Sequence, residues 1–144
     1  MSKVERFIEA FEYWRVKLKL KPIPFKQDNR YGGHVISCFD DDKIVLIKYN
    51  SKKLKEWNYP LIMCGVFHEL AHIVEPSLPY NTDEDKVKEE YRAERWALDM
   101  MKKHYPFMIE PCVVHIKKRL KSPKWCKQYP VHFKAFSQIK EYMI

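Results

Sequence analysis

Two imidazoles four residues apart, with a carboxylate directly after the first, are the part of this chain best suited to chemistry: His68-Glu69-Leu70-Ala71-His72. On a helix, residues i and i+4 share one face. Both ring nitrogens can then point at one divalent ion, and zinc is the ion that two imidazoles and a third protein ligand suit best. Glu69 stands beside the first ligand, where its carboxylate can take a proton from an activated water. The chemistry predicted is metal-assisted hydrolysis.

A helix of this kind must be buried, and the residues before it predict burial. Pro60-Leu61-Ile62-Met63-Cys64-Gly65-Val66-Phe67 is apolar nearly all round, as in a core helix. Pro60 suits a first helical position, and Glu75-Pro76 is the expected stop, giving a helix over about 60–75. Zinc needs a third protein ligand with a fourth position open. A second helix, predicted over 82–104, supplies candidates. Thr82 can cap it, and Asp83, Glu84 and Asp85 suit its positive end. Glu90, Glu94 and Ala97 then share a face with small Ala93. Glu90 is the expected third ligand, and Glu94 the carboxylate that orients a ligand histidine from behind. Glu89 is the nearest competitor, followed by His104, His115 and His132. The competing view is that glutamates next to Arg92 and Arg95 form only a solvated, ion-paired face.

The H-E-x-x-H motif followed by a glutamate on the next helix is the gluzincin arrangement. Within that group, the chain resembles the ImmA/IrrE-type metallopeptidases. The pieces that carry the resemblance are the strand Ile44-Val45-Leu46-Ile47-Lys48-Tyr49 ending at Asn50, the motif His68 to His72, and Glu90-x-x-Ala93-Glu94-x-Trp96-Ala97. They lie within roughly residues 30–105. Glu94 stands where that family has Asn or Asp, and 17 residues separate His72 from Glu90. The resemblance implies a zinc endopeptidase that performs limited proteolysis of a regulatory protein, such as a DNA-binding repressor. It also fits a phage or mobile-element protein.

Other elements must hold these two helices. A first helix is predicted over about 3–20: Ser2 and Glu5 make a capping box. Val4, Phe7, Ile8, Phe11, Trp14 and Leu18 form an apolar stripe for the core. Residues 25–50 read as strands, with 35–39 and 43–49 as an antiparallel hairpin about Asp40-Asp41-Asp42. The aspartates lack calcium-loop spacing and read as a turn. The strand 43–49 leads toward the metal helix, so Ile44, Leu46 and Lys48 are the candidate edge on which substrate backbone adds as a strand. Helices near 113–120 and 132–142 complete an α+β, zincin-like single domain with a small, mainly antiparallel sheet.

Composition narrows the partners. The chain has 144 residues, of which 46% are hydrophobic and 15% aromatic, enough for one domain with a real core. No apolar run is long enough to cross a membrane, and the first residues lack a signal-peptide core. A cytoplasmic protein with reduced cysteines is expected. Cys112, His115, Cys126 and His132 offer donors for a second, structural zinc. Their spacing matches no established signature, and buried cysteines that simply fill the core are the preferred reading. Residues 111–144 carry 8 basic side chains against 1 acidic, and Trp125 and Tyr129 stand among the lysines. Such a segment suits nucleic acid, an acidic protein partner or solubility. It gives a second hypothesis, a nucleic-acid-associated protease resembling the SprT type, although the downstream histidine motif of that type is not found at matching spacing. A third hypothesis is a non-catalytic interaction module that keeps the zinc fold. For the leading hypothesis, Tyr80, His115 and His132 are the candidate donors to a developing oxyanion.

Overall fold

Ser2 starts the first helix as its spacing from Glu5 predicts, with its hydroxyl accepting from the Glu5 N–H at 3.1 Å. In the computed structural model, which describes residues 1–41, 43–74 and 78–143, this helix (α1) runs Lys3–Lys17. It buries Phe7, Phe11 and Trp14. It ends earlier than the prolines at 22 and 24 predict, because Lys19 takes φ 57°. The Lys19 N–H bonds to the Val16 carbonyl at 3.0 Å and the Leu20 N–H to the Arg15 carbonyl at 2.9 Å. That is a Schellman ending, with lysine in the position that glycine fills at lowest cost.

Three strands follow: β1 (Phe25–Gln27), β2 (Val35–Asp40) and β3 (Lys43–Tyr49). The hairpin β2–β3 is antiparallel and turns at Asp41, whose φ of 55° suits an aspartate in a tight connection; Asp42 lies outside the described residues. The sheet order is β1-β3-β2, and β1 pairs parallel to β3 through Phe25↔Ile47 to Gln27↔Tyr49. The sheet is therefore mixed and, as expected, mainly antiparallel, with six antiparallel pairs against three parallel ones. Ile44, Leu46 and Lys48 lie on the central strand, and β1 pairs with it only over Ile47, Lys48 and Tyr49. β1 and β2 are the two edges, and β2 offers the longer free row of backbone groups. β1, at three residues, is too short to announce itself by alternation. Phe25 anchors it by meeting Phe11 and Phe7 edge-on, at 5.0 and 6.2 Å between ring centroids.

A short helix α2 (Ser51–Leu54) is capped by Asn50, whose side-chain oxygen accepts from the Lys52 and Lys53 N–H groups. Then comes α3 (Tyr59–Ala71), capped by Asn58 with Pro60 in its first turn. A Cβ at Gly65 would fall 2.7 Å from the Trp57 ring, so only glycine lets that indole lie against α3. The regular helix stops at Ala71, and His72 is its C-cap, still in helical conformation at φ −67°. The predicted stop at Glu75-Pro76 lies outside the described residues.

Helix α4 (Asp83–His104) opens with a capping box between Thr82 and Asp85. Its buried face is Glu89, Glu90, Ala93, Glu94, Ala97, Leu98 and Met101, and it packs along α3. A 3₁₀ turn (Pro106–Met108) leads into α5 (Ile109–Leu120), α6 (Pro123–Gln128) and α7 (Pro130–Phe136). The predicted 113–120 helix thus starts earlier. The predicted 132–142 helix is replaced by α6 and α7, each opening on a proline. The result is an α+β domain with seven α-helices among the described residues, whose core joins α1, α3, α4, α5, α7 and the inner face of the sheet. No described helix is long and apolar enough to cross a membrane.

Replacing Lys19 by glycine relieves the left-handed backbone at the end of α1. The expected gain is about 0.5–1 kcal/mol in unfolding free energy, read from urea denaturation of Lys19→Gly against the native chain.

Candidate metal centre

Helix α3 presents His68 and His72 on one face, with ring centroids 5.0 Å apart. Helix α4 meets them with three carboxylates, the adjacent pair Glu89 and Glu90 and, one turn on, Glu94, each with a different task. Glu90 stands between the histidines: its Oε2 lies 2.8 Å from His68 Nε2 and its Oε1 lies 3.5 Å from His72 Nε2. Glu94 accepts from His68 Nδ1 at 2.9 Å. Glu89 accepts from His72 Nδ1 at 2.8 Å. Both imidazoles are thus held by their Nδ1 atoms, and both Nε2 atoms converge on one carboxylate. One ligand atom from each of His68, His72 and Glu90 lies within 4.8 Å of the others, and among the described residues no other such group forms.

Close helix packing makes this convergence feasible. Ala93, between Glu90 and Glu94, and Ala97, just beyond Glu94, are fully buried, so no bulky side chain at these positions holds the helices apart. The glutamates are buried as well: Glu89, Glu90 and Glu94 are 0%, 3% and 6% exposed. Three buried carboxylates without partners would be costly. Glu89 is the most heavily engaged. Arg92 grips it with Nε at 2.6 Å from Oε1 and Nη2 at 2.7 Å from Oε2, and the Leu78 N–H adds a bond at 3.2 Å. Arg92 also donates to the Ala71 carbonyl at the end of α3. Arg92, which sequence alone suggests for a solvated face, instead clamps the two helices together.

Protons do the neutralising where no ion is bound. Burial disfavours charge on His68, yet its bonds to Glu90 and Glu94 hold its pKa well above the ordinary value. Burial likewise opposes charge on His72, but Glu90 and Glu89 raise it to about 9. Burial pushes the glutamates the other way, and the imidazoles outweigh it. Glu90 is held well below the ordinary carboxylate range by His72, His132 and His68, and Glu94 is lowered by His68. Glu89 is lowered by Arg92 and His72.

Glu69 is 6% exposed and accepts from the Ser37 hydroxyl of β2. Residues remote in sequence complete the rim. Tyr80 donates to Glu90 Oε1 at 2.7 Å and stacks on Phe39 of β2 at 4.1 Å. His132 of α7 brings Nε2 to 3.4 Å from Glu90 Oε2. His115 lines the adjoining cleft without touching Glu90, so two of the three predicted oxyanion donors reach the centre. The set Cys112, His115, Cys126 and His132 does not assemble. The Cys112 thiol bonds to the Pro60 and Met108 carbonyls, the Cys126 thiol to those of Arg119 and Leu120. His132 is turned to Glu90. All four cysteines are unpaired.

No protein-family profile, no curated protein and no solved structure matches this chain. The geometry therefore has to speak for itself. Two imidazoles with fixed tautomers and one carboxylate are a fitting donor set for a divalent ion, and the carboxylates behind the imidazoles raise their basicity as ligands. The roles of Ser37 and Arg92 carry no signal in the sequence, which offers Glu89 only as a rival ligand. The spacing Glu89-x-x-Arg92, an ion-pair interval on a helix, is the signal that ties Glu89 to a structural partner.

Two outcomes follow for the metal-free protein. His72 titrates near 9 when folded and near 6.5 when unfolded. Its stabilisation is fully present below pH 6.5 and is lost as pH rises through 9. The depressed glutamates contribute above their unfolded values and lose that contribution on acidification. His34 and His115, each lowered by burial to about 4, stay neutral in the fold and cost stability as pH falls below 6.5. Thermal midpoints measured in chelator should therefore peak near pH 6.5 and decline on both sides; a midpoint that keeps rising to pH 9 contradicts the ion-paired centre. Glu89→Gln, which leaves all three ligands in place, should weaken zinc affinity about 10–100-fold by isothermal titration. Undiminished affinity would show that His72 does not depend on Glu89.

Proposed function

We propose that the protein is a zinc-dependent endopeptidase with a zincin-like fold. The observation that carries this reading is the convergence of His68 Nε2, His72 Nε2 and the Glu90 carboxylate, with each Nδ1 held by its own glutamate. When bound, zinc supplies Lewis acidity, acidifying water and polarising a carbonyl.

The chain's own residues do the rest. Glu69 follows His68 on α3, so its carboxylate stands beside the ligand set; it receives a proton at Oε from the attacking water and hands it to the leaving amine nitrogen. Ser37 donates its hydroxyl to that carboxylate at Oε2. Tyr80 and His132 both reach Glu90, which makes them the donors best placed to answer charge that develops on the substrate carbonyl oxygen. β2 is an edge strand, and its residues Ser37 and Phe39 touch Glu69 and His72. An extended substrate pairing with β2 would run past the centre, a role the sequence suggests for β3.

The substrate class rests on the resemblance to ImmA/IrrE-type peptidases: a regulatory or DNA-associated protein cut at few sites, in the cytoplasm. The unpaired cysteines agree with a reducing compartment.

Glu69→Gln should keep zinc and lose about 10²–10⁴-fold in turnover, scored on unfolded casein and on peptide libraries by mass spectrometry. Full activity in that variant refutes the mechanism. Loss of zinc instead would assign Glu69 to the ligand set.

A further inference from the structure

The cleft beside the metal centre holds a cation that no described carboxylate pairs with directly. It encloses about 310 Å³ and is lined by His68 and Glu69 as well as by Arg119, Trp125 and Tyr129. Arg119, half-buried on α5, lies with its guanidinium 5.5 Å from the centre of the Trp125 ring. Among the described residues that guanidinium has no hydrogen-bond acceptor and no ion-pair partner. Glu94, the carboxylate that most offsets its burial, is taken by His68 Nδ1 and the Cys64 thiol. Glu69 is engaged by Ser37. Two more ring nitrogens on residues that line the cleft, His115 Nε2 and Trp57 Nε1, are buried with no partner. A half-buried guanidinium in a cleft that also holds orphaned polar atoms is an unfavourable arrangement in the empty protein. It becomes favourable once an anion enters.

The chemistry of that anion is restricted by what else the cleft contains. Glu69 and Glu94 are on its walls, so a doubly charged phosphate would meet two carboxylates as well as one cation. A single planar carboxylate matches one guanidinium fork and brings one charge. The space suits an amino-acid side chain more than a nucleotide.

We infer that Arg119 is a specificity residue that receives a carboxylate of the bound peptide, either an acidic side chain next to the scissile bond or the free C-terminus. This inference rests on the peptidase reading for its substrate and goes beyond it by naming the chemistry of one subsite. It also gives the C-terminal helices a function: α5 and α6 carry the subsite, and the one arginine among the lysines of 117–127 faces inward while Lys118, Lys121, Lys124 and Lys127 are exposed.

The test uses the full chain in chelator, so it does not depend on zinc or on turnover. Three small probes differ only in their carboxylates: N-acetylglutamate α-amide carries one on the side chain, N-acetylglutamine carries one at the terminus, and N-acetylglutamine amide carries none. Binding is followed through the indole signals of Trp57 and Trp125 by proton–nitrogen NMR. At least one acid should bind about tenfold more tightly than the neutral amide. Arg119→Gln should remove that preference, and Arg119→Lys should keep part of it. Preference for the side-chain acid assigns acidic-residue specificity, whereas preference for the terminal acid assigns recognition of a chain end. Equal binding of all three probes by the native chain overturns the inference without recourse to a variant, as does an unchanged preference in a folded Arg119→Gln. Failure of the peptidase reading would show separately, as a protein that takes no zinc.

Discussion

Two histidines on one helix bind a common ion only if something else decides which nitrogens they offer. Here that decision is made by α4. Glu94 and Glu89 hold the Nδ1 atoms of His68 and His72 and leave both Nε2 atoms to Glu90. Every large feature of the domain serves this contact. Ala93 and Ala97 let the helices approach. Arg92 fastens Glu89 to α4 and the end of α3 at once. The Thr82 capping box fixes where α4 begins, hence which of its residues face α3.

The same contact is a liability without an ion. Three nearly buried carboxylates and two imidazoles persist together only by sharing protons, which is why the imidazoles are raised and the glutamates lowered in concert. A metal would displace those protons, so metal and proton are alternative ways of balancing one set of charges. Apolar residues of the two helices back the site on the core side. Phe67, Leu70 and Leu98 are fully buried, and Phe136 of α7 lies 6.3 Å from the His68 ring. The C-terminal helices thereby close one side of the centre, and β2 with Tyr80 closes another.

Local signals in the sequence foretold local structure well. The cap at Ser2, the cap at Thr82, the apolar run over 61–67 and the shared face of Glu90, Ala93, Glu94 and Ala97 all follow from helical spacing, and the structure places them accordingly. What stayed hidden depends on contacts between distant segments. β1 is three residues long and exists because Phe25 finds Phe7 and Phe11. Without it β3 reads as an edge rather than as the central strand. Tyr80, Ser37, His132 and Arg119 reach the site from four separate elements, and no periodicity links them. Trp125 and Tyr129 look like partners for the lysines in a nucleic-acid surface. In the fold they pack toward each other at 5.8 Å and line the cleft, with Trp125 also stacked on Phe136.

Native mass spectrometry of the purified chain with zinc, run beside His72→Ala and Glu90→Ala, tests the central claim most directly. A metal centre built on these residues predicts one zinc per native chain and none in either variant. A native chain that takes no zinc, or a Glu90→Ala variant that holds it as firmly as the native protein does, would contradict the centre described here.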